Sequence, residues 1–472
     1  MSESDKHSAE NTRQENDSLG GIDVPESALW GAQTQRSLQN FAIGDDRFPA
    51  SFIRAFALVK KAAARSNQEL GALDNALAKL IEQACDEILQ GLHDDQFPLS
   101  VWQTGSGTQT NMNLNEVIAN RANELAGEAR GSKAPIHPND HVNLSQSSND
   151  IFPTCMHVAT CQALQGRLYP ALLFMQQQLQ NKAREFSKEI KSGRTHMMDA
   201  TPVTLGQEFR AFAQQIEFCE QQIRLSEDGL QALAAGGTAV GTGLNSPPRW
   251  AETICRQIST LSELEFRPAD NKFSQLAAHD AVVSLHGQLN TLAGALLKIV
   301  NDIRLMNSGP RCGFNEITIP ANEPGSSIMP GKVNPTQIEA VSMVCLRVMG
   351  NNVSVSVAGS QGQFQLNTYK PLLIHCVLES ITLLTDAMDS FTRNCLAGIA
   401  ANSAKLRDYM QRSLMLVTAL TPEIGYDLAG KAARYAHEKD ISLRDAVVEL
   451  ELMSADRFDE LVDPEQMLGA RD

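Results

Sequence analysis

The sequence lacks the features that mark a zinc ribbon, a membrane protein or a nucleic-acid binder. Its nine cysteines never form a Cys-x-x-Cys pair, so neither a zinc ribbon nor an iron–sulfur cluster has its usual spacing. No apolar run reaches the roughly 18 residues of a membrane span. A formal net charge of −15 argues against nucleic acid or an anionic membrane as a partner. An acidic small-molecule substrate stays compatible with that charge, because a local pocket can be positive.

The cysteines also indicate a compartment. They are scattered, odd in number and mostly set in apolar stretches, which is typical of reduced thiols in a core and points to the cytoplasm. The polar segment Met1–Leu19 has no apolar core for a secretion signal and too many acids for a mitochondrial transit peptide. We expect it to be a disordered tail.

Few aromatic residues, 5% of the chain, and abundant Ala, Leu and Gln favour helix over sheet. Apolar residues alternate in steps of three and four at Val282, Leu285, Leu289, Leu292, Leu296, Ile299, Ile303 and Met306, a heptad stripe that predicts a long helix in a bundle. Further long helices are predicted over Ile151–Lys191, Thr204–Leu233, Pro335–Val357 and Leu372–Leu396. Because such lengths are unusual in one compact domain, we expect other copies of the chain to complete the bundle.

The pattern of helix lengths divides the chain into three domains after the polar tail at 1–19. Residues 20–146 have shorter helices between Gly/Pro loops, 147–402 contain the long helices, and 403–472 contain short amphipathic helices. The predicted fold is mainly α, with a mixed N-terminal domain, a central long-helix bundle and a small C-terminal helical domain.

The segment from Glu323 to Pro335 is the strongest candidate for a binding site. It combines adjacent hydroxyls, a cation and an amide with the start of a helix, whose free N–H groups favour an anion. Asn334 and Gln337 are spaced as a capping box. A P-loop is excluded, because five residues separate Gly325 from Gly331 and the Lys is followed by Val333. A small anion is therefore the better ligand.

Three other loops accumulate hydrogen-bond donors: Gln103–Asn113, His137–Asp150 and Gly193–Pro202. Taken singly, each is an ordinary turn or helix cap. His137 and His141 have the spacing of a metal pair on a helix, but Pro138 and Asn139 favour a turn and a third ligand at a familiar spacing is lacking, so we expect no metal.

Together these loops resemble the fumarase/aspartase superfamily, whose signature is Gly-Ser-Ser-x-Met-Pro-x-Lys-x-Asn-Pro. The chain is similar to the class II (iron-independent) fumarase family from about Gly20 to the final Pro464-Glu-Gln-Met-Leu-Gly motif. Gly193-Arg-Thr-His196 narrows the likeness, since aspartate ammonia-lyases typically have Gln where this chain has His196. Trp102-Gln-Thr-Gly-Ser-Gly-Thr and Gly236-Gly-Thr-Ala-Val-Gly-Thr-Gly243 also match fumarases.

The resemblance implies a three-domain fumarase/aspartase-like fold and a fumarate hydratase, a hydro-lyase of the tricarboxylic acid cycle that interconverts fumarate and (S)-malate without a cofactor or metal. It implies a cytoplasmic homotetramer whose active sites are shared between subunits. Ser326 is the implied base, His196 acts through a water on the leaving hydroxyl, Glu339 orients His196, and Lys332 favours the serine alkoxide. The implied substrate-binding residues are Ser106, Gly107, Thr108, Ser147, Ser148, Asn149, Thr195, Ser327, Lys332, Val333 and Asn334. An accessory anion site is implied at His137, Pro138, Asn139 and Asp140.

The sequence departs from the family pattern at two positions, and two alternative functions stay open. Met198 stands where the family generally has Gln, and Leu144 replaces a usual Lys beside the anion-binding loop, which puts substrate affinity in question. The alternatives are an ammonia-lyase acting on aspartate, against which His196 argues, and a non-catalytic helical scaffold. Without the resemblance, Glu339 reads as a solvated helix carboxylate.

Overall fold

The computed structural model describes residues 11–469 and is mostly helical. In chain order its helices are α1 Ala32–Asn40, α2 Ala50–Glu69, α3 Asn75–Leu89, α4 Thr108–Leu125, α5 Ser148–Ala163, α6 Tyr169–Glu185, α7 Leu205–Gln231, α8 Trp250–Ser262, α9 Lys272–Ala277, α10 Asp280–Met306, α11 Thr336–Gly359, α12 Lys370–Asn394, α13 Ser403–Arg412, α14 Thr421–Ile424, α15 Tyr426–Lys439, α16 Leu443–Glu449 and α17 Ala455–Leu461. A π-helical segment, Leu164–Leu168, joins α5 to α6.

The strands are short and lie in two-stranded sheets. They are β1 Thr12–Asp17 with β2 Gly20–Pro25, β3 Ile190–Thr195 with β4 Met198–Thr204, β5 Ala232–Leu233 with β6 Arg267–Pro268, and β7 Ile317–Thr318 with β8 Ala400–Ala401. Among the strand pairs of residues 11–469, only β5–β6 is parallel. The predicted mainly α fold is confirmed.

The predicted long helices are present, with boundaries shifted by a few residues. All eight members of the heptad stripe on α10 are buried. α7 begins with the predicted capping box, in which Thr204 N donates to Gln207 Oε1 at 2.8 Å and Gln207 N donates to Thr204 Oγ1 at 3.0 Å. The segment predicted as helix up to Lys191 differs at its end, because α6 stops at Glu185 and Ile190 and Lys191 enter β3.

The prediction of a disordered tail over residues 1–19 is wrong for Thr12–Asp17, which form β1; residues 1–10 lie outside the described part of the chain. The contacts of Arg13 explain why this segment is ordered. Its guanidinium donates to Glu15 Oε1 at 2.7 Å and to the carbonyls of Pro25, Ala28 and Trp30 at 2.6–2.8 Å. A polar strand held by polar contacts carries no hydrophobic pattern, so sequence periodicity does not reveal it.

Contacts group the chain into two compact units. The first contains the described residues up to Tyr169 together with Gln221–Thr291 and Arg347–Leu383. The second contains Pro170–Glu220, Leu292–Leu346 and the described residues from Leu384 onward. The three consecutive domains predicted from sequence cut the chain at other residues and stay a prediction.

Each unit has its own packed core. In the first unit, edge-to-face and tilted aromatic contacts join Phe48, Phe52, Phe56 and Phe152, with ring centroids 4.9–6.0 Å apart. In the second unit, a hydrophobic cluster packs residues of α13 and α15–α17 around Leu420, which is fully buried. These cores support the polar loops described next.

Candidate active site

The segment Glu323–Pro335 folds back on itself and turns Ser326 toward backbone donors. Gly325 N donates to Lys332 O at 2.9 Å and closes the loop. Ser326 Oγ then accepts from Met329 N at 2.9 Å and from Ile328 N at 3.3 Å. Two N–H groups aimed at one hydroxyl oxygen favour negative charge on that oxygen. The loop thus has the donors that an alkoxide needs.

Most of the remaining predicted groups of this segment are exposed to solvent. Ser327, Lys332 and Val333 are exposed, and Asn334 is half-buried. Ile328 beside them is 83% exposed. The loop therefore presents Ser327 and Lys332 outward while its backbone closes on itself.

The predicted capping box at the start of α11 is wrong, because both side chains have other partners. Asn334 Nδ2 donates to Gly325 O at 2.5 Å, and Gln337 Oε1 accepts from Ser390 Oγ at 2.8 Å. Asn334 instead ties the two ends of the loop together. The spacing alone could not distinguish these roles, since the competing acceptor and donor are distant in sequence.

Glu339 lies in the first turn of α11 and is half-exposed. Its Oε1 lies 3.6 Å from Arg304 Nη2 on α10. The predicted contact with His196 is not made in this structure, so the orienting role of Glu339 stays a prediction.

His196 lies at the tip of the β3–β4 hairpin. Thr195 pairs with Met198, so His196 and Met197 form a two-residue turn with φ of +55° and +64°. A two-residue hairpin turn commonly needs positive φ at both central residues, and non-glycine residues such as these adopt it at some cost in strain. Thr195, His196 and Met198 are all exposed.

A buried ionic cluster anchors this hairpin. Glu316 is fully buried, and its Oε1 accepts from Arg194 Nη1 at 2.7 Å. Lys191 Nζ lies 2.7 Å from Glu316 Oε2 in an ion-pair contact, and 2.9 Å from Glu208 Oε2. The Arg194 guanidinium also lies 4.4 Å from the ring of Phe314. Sequence reasoning missed this cluster, because Glu316 is far from the hairpin along the chain.

In the first unit, the start of α4 holds the next predicted group. Ser106 Oγ and Thr108 Oγ1 share a hydrogen bond of 2.7 Å. Gly107 has φ of +75°, and a Cβ there would lie 2.1 Å from the Phe152 ring, so only glycine fits. Gly105 is as restricted, since its Cβ would lie 1.3 Å from Thr368 O.

The start of α5 holds the third group through a capping box. Ser147 Oγ accepts from Asn149 N at 3.2 Å, while Ser147 N donates to Asp150 Oδ1 at 2.9 Å. Asp150 is buried, and its other oxygen accepts from Gly236 N and Thr238 N at 3.0 and 2.9 Å. Burial raises the pKa of Asp150 to about 6 against these donors.

Asn111 joins the two helix starts. Its Nδ2 donates to Ser148 Oγ at 2.9 Å and to Asn143 Oδ1 at 3.1 Å. Asn149 Nδ2 donates to Ala239 O at 2.8 Å. The structure therefore joins the start of α4, which carries Ser106–Thr108, to the start of α5, which carries Ser147–Asn149. Asn111 and Asn143 stand within the polar loops identified in the sequence, but no spacing rule gave them a role.

The predicted accessory group forms one turn of π-helix, Pro138–Val142, rather than a simple turn. His137 Nδ1 accepts from Asn139 N and Asp140 N at 3.2 and 3.1 Å, and His141 Nδ1 accepts from His137 N at 2.8 Å. Burial lowers the pKa of His137, opposed by the nearby Asp140.

His137, Pro138 and Asn139 line a cavity of about 360 Å³ together with Lys133 and the carboxylates of Glu15, Asp17 and Glu116. The cavity mixes both signs of charge. Within residues 11–469, no cluster of three or more His, Cys, Asp or Glu side chains has the arrangement of a metal site.

Two family models match this sequence. A model described as "Lyase" matches residues 20–350, and one described as "Fumarase C C-terminus" matches residues 416–469. Among characterised relatives, "Fumarate hydratase class II" of Thermosynechococcus vestitus is 57% identical over 460 residues, 98% of each chain. "Fumarate hydratase, mitochondrial" of Rhizopus oryzae is 54% identical, covering 98% of this chain and 93% of its own.

Solved structures agree with the sequence comparisons. Class II fumarase from Schistosoma mansoni superposes with a TM-score of 0.96 at 45% identity, covering 98% of this chain and 100% of its own. A fumarate lyase:delta crystallin from Brucella melitensis bound to cobalt has a TM-score of 0.94 at 40% identity, with the same coverage.

Proposed function

The chain belongs to the class II fumarate hydratase family, and on that premise we propose that it catalyses the reversible hydration of fumarate to (S)-malate. The observation that carries the proposal is the Ser326 hydroxyl, whose oxygen accepts from two loop N–H groups. An ordinary serine hydroxyl is far too weak an acid to lose its proton near neutral pH and form the alkoxide that would act as the base. Here the same donors that hold the hydroxyl stabilise its alkoxide.

The reaction requires removal of a proton from C3 of malate, beside a carboxylate that becomes a dianionic aci-carboxylate. Ser326 takes this proton in the proposed mechanism. A single well-aimed donor is worth about 3–4 kcal/mol in such sites. The N–H groups of Ile328 and Met329 and the charge of Lys332 together favour the alkoxide.

His196 acts on the opposite side of the substrate, where a water-mediated proton assists departure of the C2 hydroxyl. Its place at an exposed, strained hairpin tip suits a side chain that meets groups from outside its own strand pair. Glu339 is the proposed carboxylate that orients His196 and holds its proton. Because the two are not in contact within this chain, we propose that they meet across a subunit interface.

The substrate carboxylates are bound by short hydroxyl and amide donors. Ser106–Thr108 and Ser147–Asn149 form one set, already linked through Asn111. Thr195, Ser327, Lys332, Val333 and Asn334 form the other. These groups fix orientation without leaving several charges unpaired. The His137–Asp140 turn is proposed as an accessory anion site, with Lys133 as the cation in its cavity.

We propose a homotetramer, supported by an exposed apolar face on α11. Met343, Leu346, Val353 and Val357 are 57–67% exposed, and helical geometry sets them on one side. α11 and α12 are apolar and long enough to cross a membrane, but α12 is largely buried in this chain. Packing of α11 against other copies removes its apolar surface from water and explains why polar groups of the site stay exposed in one chain.

The eight buried free thiols support a reducing compartment, and we propose the cytoplasm.

The test is turnover by the purified protein, followed through the ultraviolet absorbance of fumarate with malate as substrate. Ser326→Ala and His196→Asn should each lower kcat by about 10³-fold while the oligomer stays intact in size-exclusion chromatography. Ser327→Ala is the matched neighbour, because it should raise KM far more than it lowers kcat. Wild-type-like turnover in Ser326→Ala or His196→Asn refutes the role given to that residue. Turnover of aspartate in place of malate refutes the proposed substrate.

A further inference from the structure

Lys60 is a buried cation next to the segment that leads into the proposed substrate-binding residues Ser147–Asn149, and the proposed mechanism does not use it. It lies in the middle of α2 and is fully buried. Its ammonium donates to Asn143 Oδ1 at 3.0 Å and to Gln146 Oε1 at 2.9 Å. The Phe56 ring lies 5.8 Å from the same nitrogen. Burying a charged lysine costs free energy, so its place in the interior calls for a role.

These contacts reach the substrate-binding hydroxyl in two further steps. Asn143 Oδ1, held by Lys60, also accepts from Asn111 Nδ2, which donates in turn to Ser148 Oγ. Because an ammonium only donates, it fixes the amide oxygens of Asn143 and Gln146 toward itself and their NH₂ groups away. Gln146 Nε2 is thereby directed at the carbonyls of Val142 and Leu144, at 3.0 Å each. Lys60 thus orders the segment from Asn143 to Ser147 through the side chains of Asn143 and Gln146.

Among the described residues, no carboxylate makes an ion-pair contact with the Lys60 ammonium. The titratable groups that face it are Asp150 and Cys155 on α5 and Cys85 on α3. Asp150 already accepts from three N–H groups, and burial raises the pKa of both thiols, which keeps them neutral. Burial lowers the pKa of Lys60 to about 7.

We propose that Lys60 is a positioning residue for the doubly negative substrate. It orients Asn143 and Gln146, and through them the Ser147–Asn149 loop, and its charge, which no described carboxylate contacts directly, strengthens binding of a dicarboxylate at that loop. The inference rests on the proposed function. It adds a residue that touches no substrate atom but sets the affinity of the site.

The charge state gives the inference a pH signature. Below about pH 7 the ammonium is charged and the dianion binds tightly; as the pH rises through that value the free protein loses the proton and binding weakens. The dissociation constant of the unreactive dicarboxylate succinate, measured by calorimetry, should therefore increase between about pH 6 and pH 9. The KM for fumarate should follow it.

Lys60→Met is the informative variant, and Lys61→Met is its matched control. Lys61 is the next residue on α2 and also buried, but it pairs with Asp86 on α3 and does not contact the loops. At pH near 6.5, Lys60→Met should raise KM and the succinate dissociation constant about tenfold, with a smaller change in kcat. Its succinate affinity should also lose the pH dependence of the wild type. Lys61→Met should keep the wild-type affinity and pH profile.

A second variant keeps the test decisive if Lys60→Met fails to fold. Gln146→Glu sets a carboxylate against the ammonium and offsets its charge at the same side-chain length, and it also removes the Nε2 donor to the carbonyls of Val142 and Leu144. It too should weaken succinate binding about tenfold. Succinate affinity unchanged from the wild type in a folded Lys60→Met or Gln146→Glu overturns the inference. A wild type that neither binds succinate nor turns over fumarate refutes the proposed function instead.

Discussion

The buried ionic cluster below the His196 hairpin makes the sharpest prediction for stability. Glu316 is fully buried, and its two oxygens face Arg194 and Lys191 at 2.7 Å each. The Lys191 side chain is only 2% exposed, so water solvates its charge poorly. In Glu316→Gln the shape is kept, but Arg194 loses its partner carboxylate and Lys191 keeps only the partly exposed Glu208.

Removal of one partner from a buried ion pair typically costs about 3–5 kcal/mol, against at most about 1 kcal/mol at a surface. We expect Glu316→Gln to fall in the first range. The strained turn at His196 and Met197 depends on this anchor, so kcat should fall as well, by about tenfold. Urea denaturation and fumarate turnover of the same preparation measure both effects.

Glu208→Gln is the matched control, because Glu208 pairs with the same lysine but is 31% exposed. It should lower the free energy of unfolding by no more than about 1 kcal/mol and leave kcat near that of the wild type. If Glu316→Gln destabilises the protein no more than Glu208→Gln does, the argument from burial fails. If stability falls but kcat does not, the link between the cluster and His196 fails.

Two further substitutions test the loop packing and the assembly. Gly105→Ala should displace the Ser106–Thr108 loop, because the new Cβ would lie 1.3 Å from Thr368 O, and the KM for fumarate should rise more than tenfold. Gly166→Ala is the control, because a Cβ at that position meets nothing within 4 Å. Leu346→Glu should shift the protein to smaller species in analytical ultracentrifugation, because a charge on the exposed apolar face of α11 opposes burial between copies. Persistence of a wild-type-like tetramer in Leu346→Glu would contradict the role of that face.

The helical architecture was predictable because it depends on local pattern. The heptad stripe of α10 and the capping box of α7 are periodic or adjacent in sequence, and both are confirmed. β1 was missed, since Arg13 holds it through carbonyls 12 to 17 residues away. The supposed capping box at Asn334 failed for the same reason: a partner remote in the chain, Ser390, occupies Gln337.

By itself the sequence determined which family the chain belongs to and which loops are the candidates for its chemistry, because adjacent donors, glycines and helix starts are local features. Only the tertiary structure decided what supports those loops. Lys60 and Glu316 act through partners more than 80 residues away, and neither stands in a recognisable motif. Burial gives these charges their strength, and burial is a property of the packed chain that no short stretch of sequence contains.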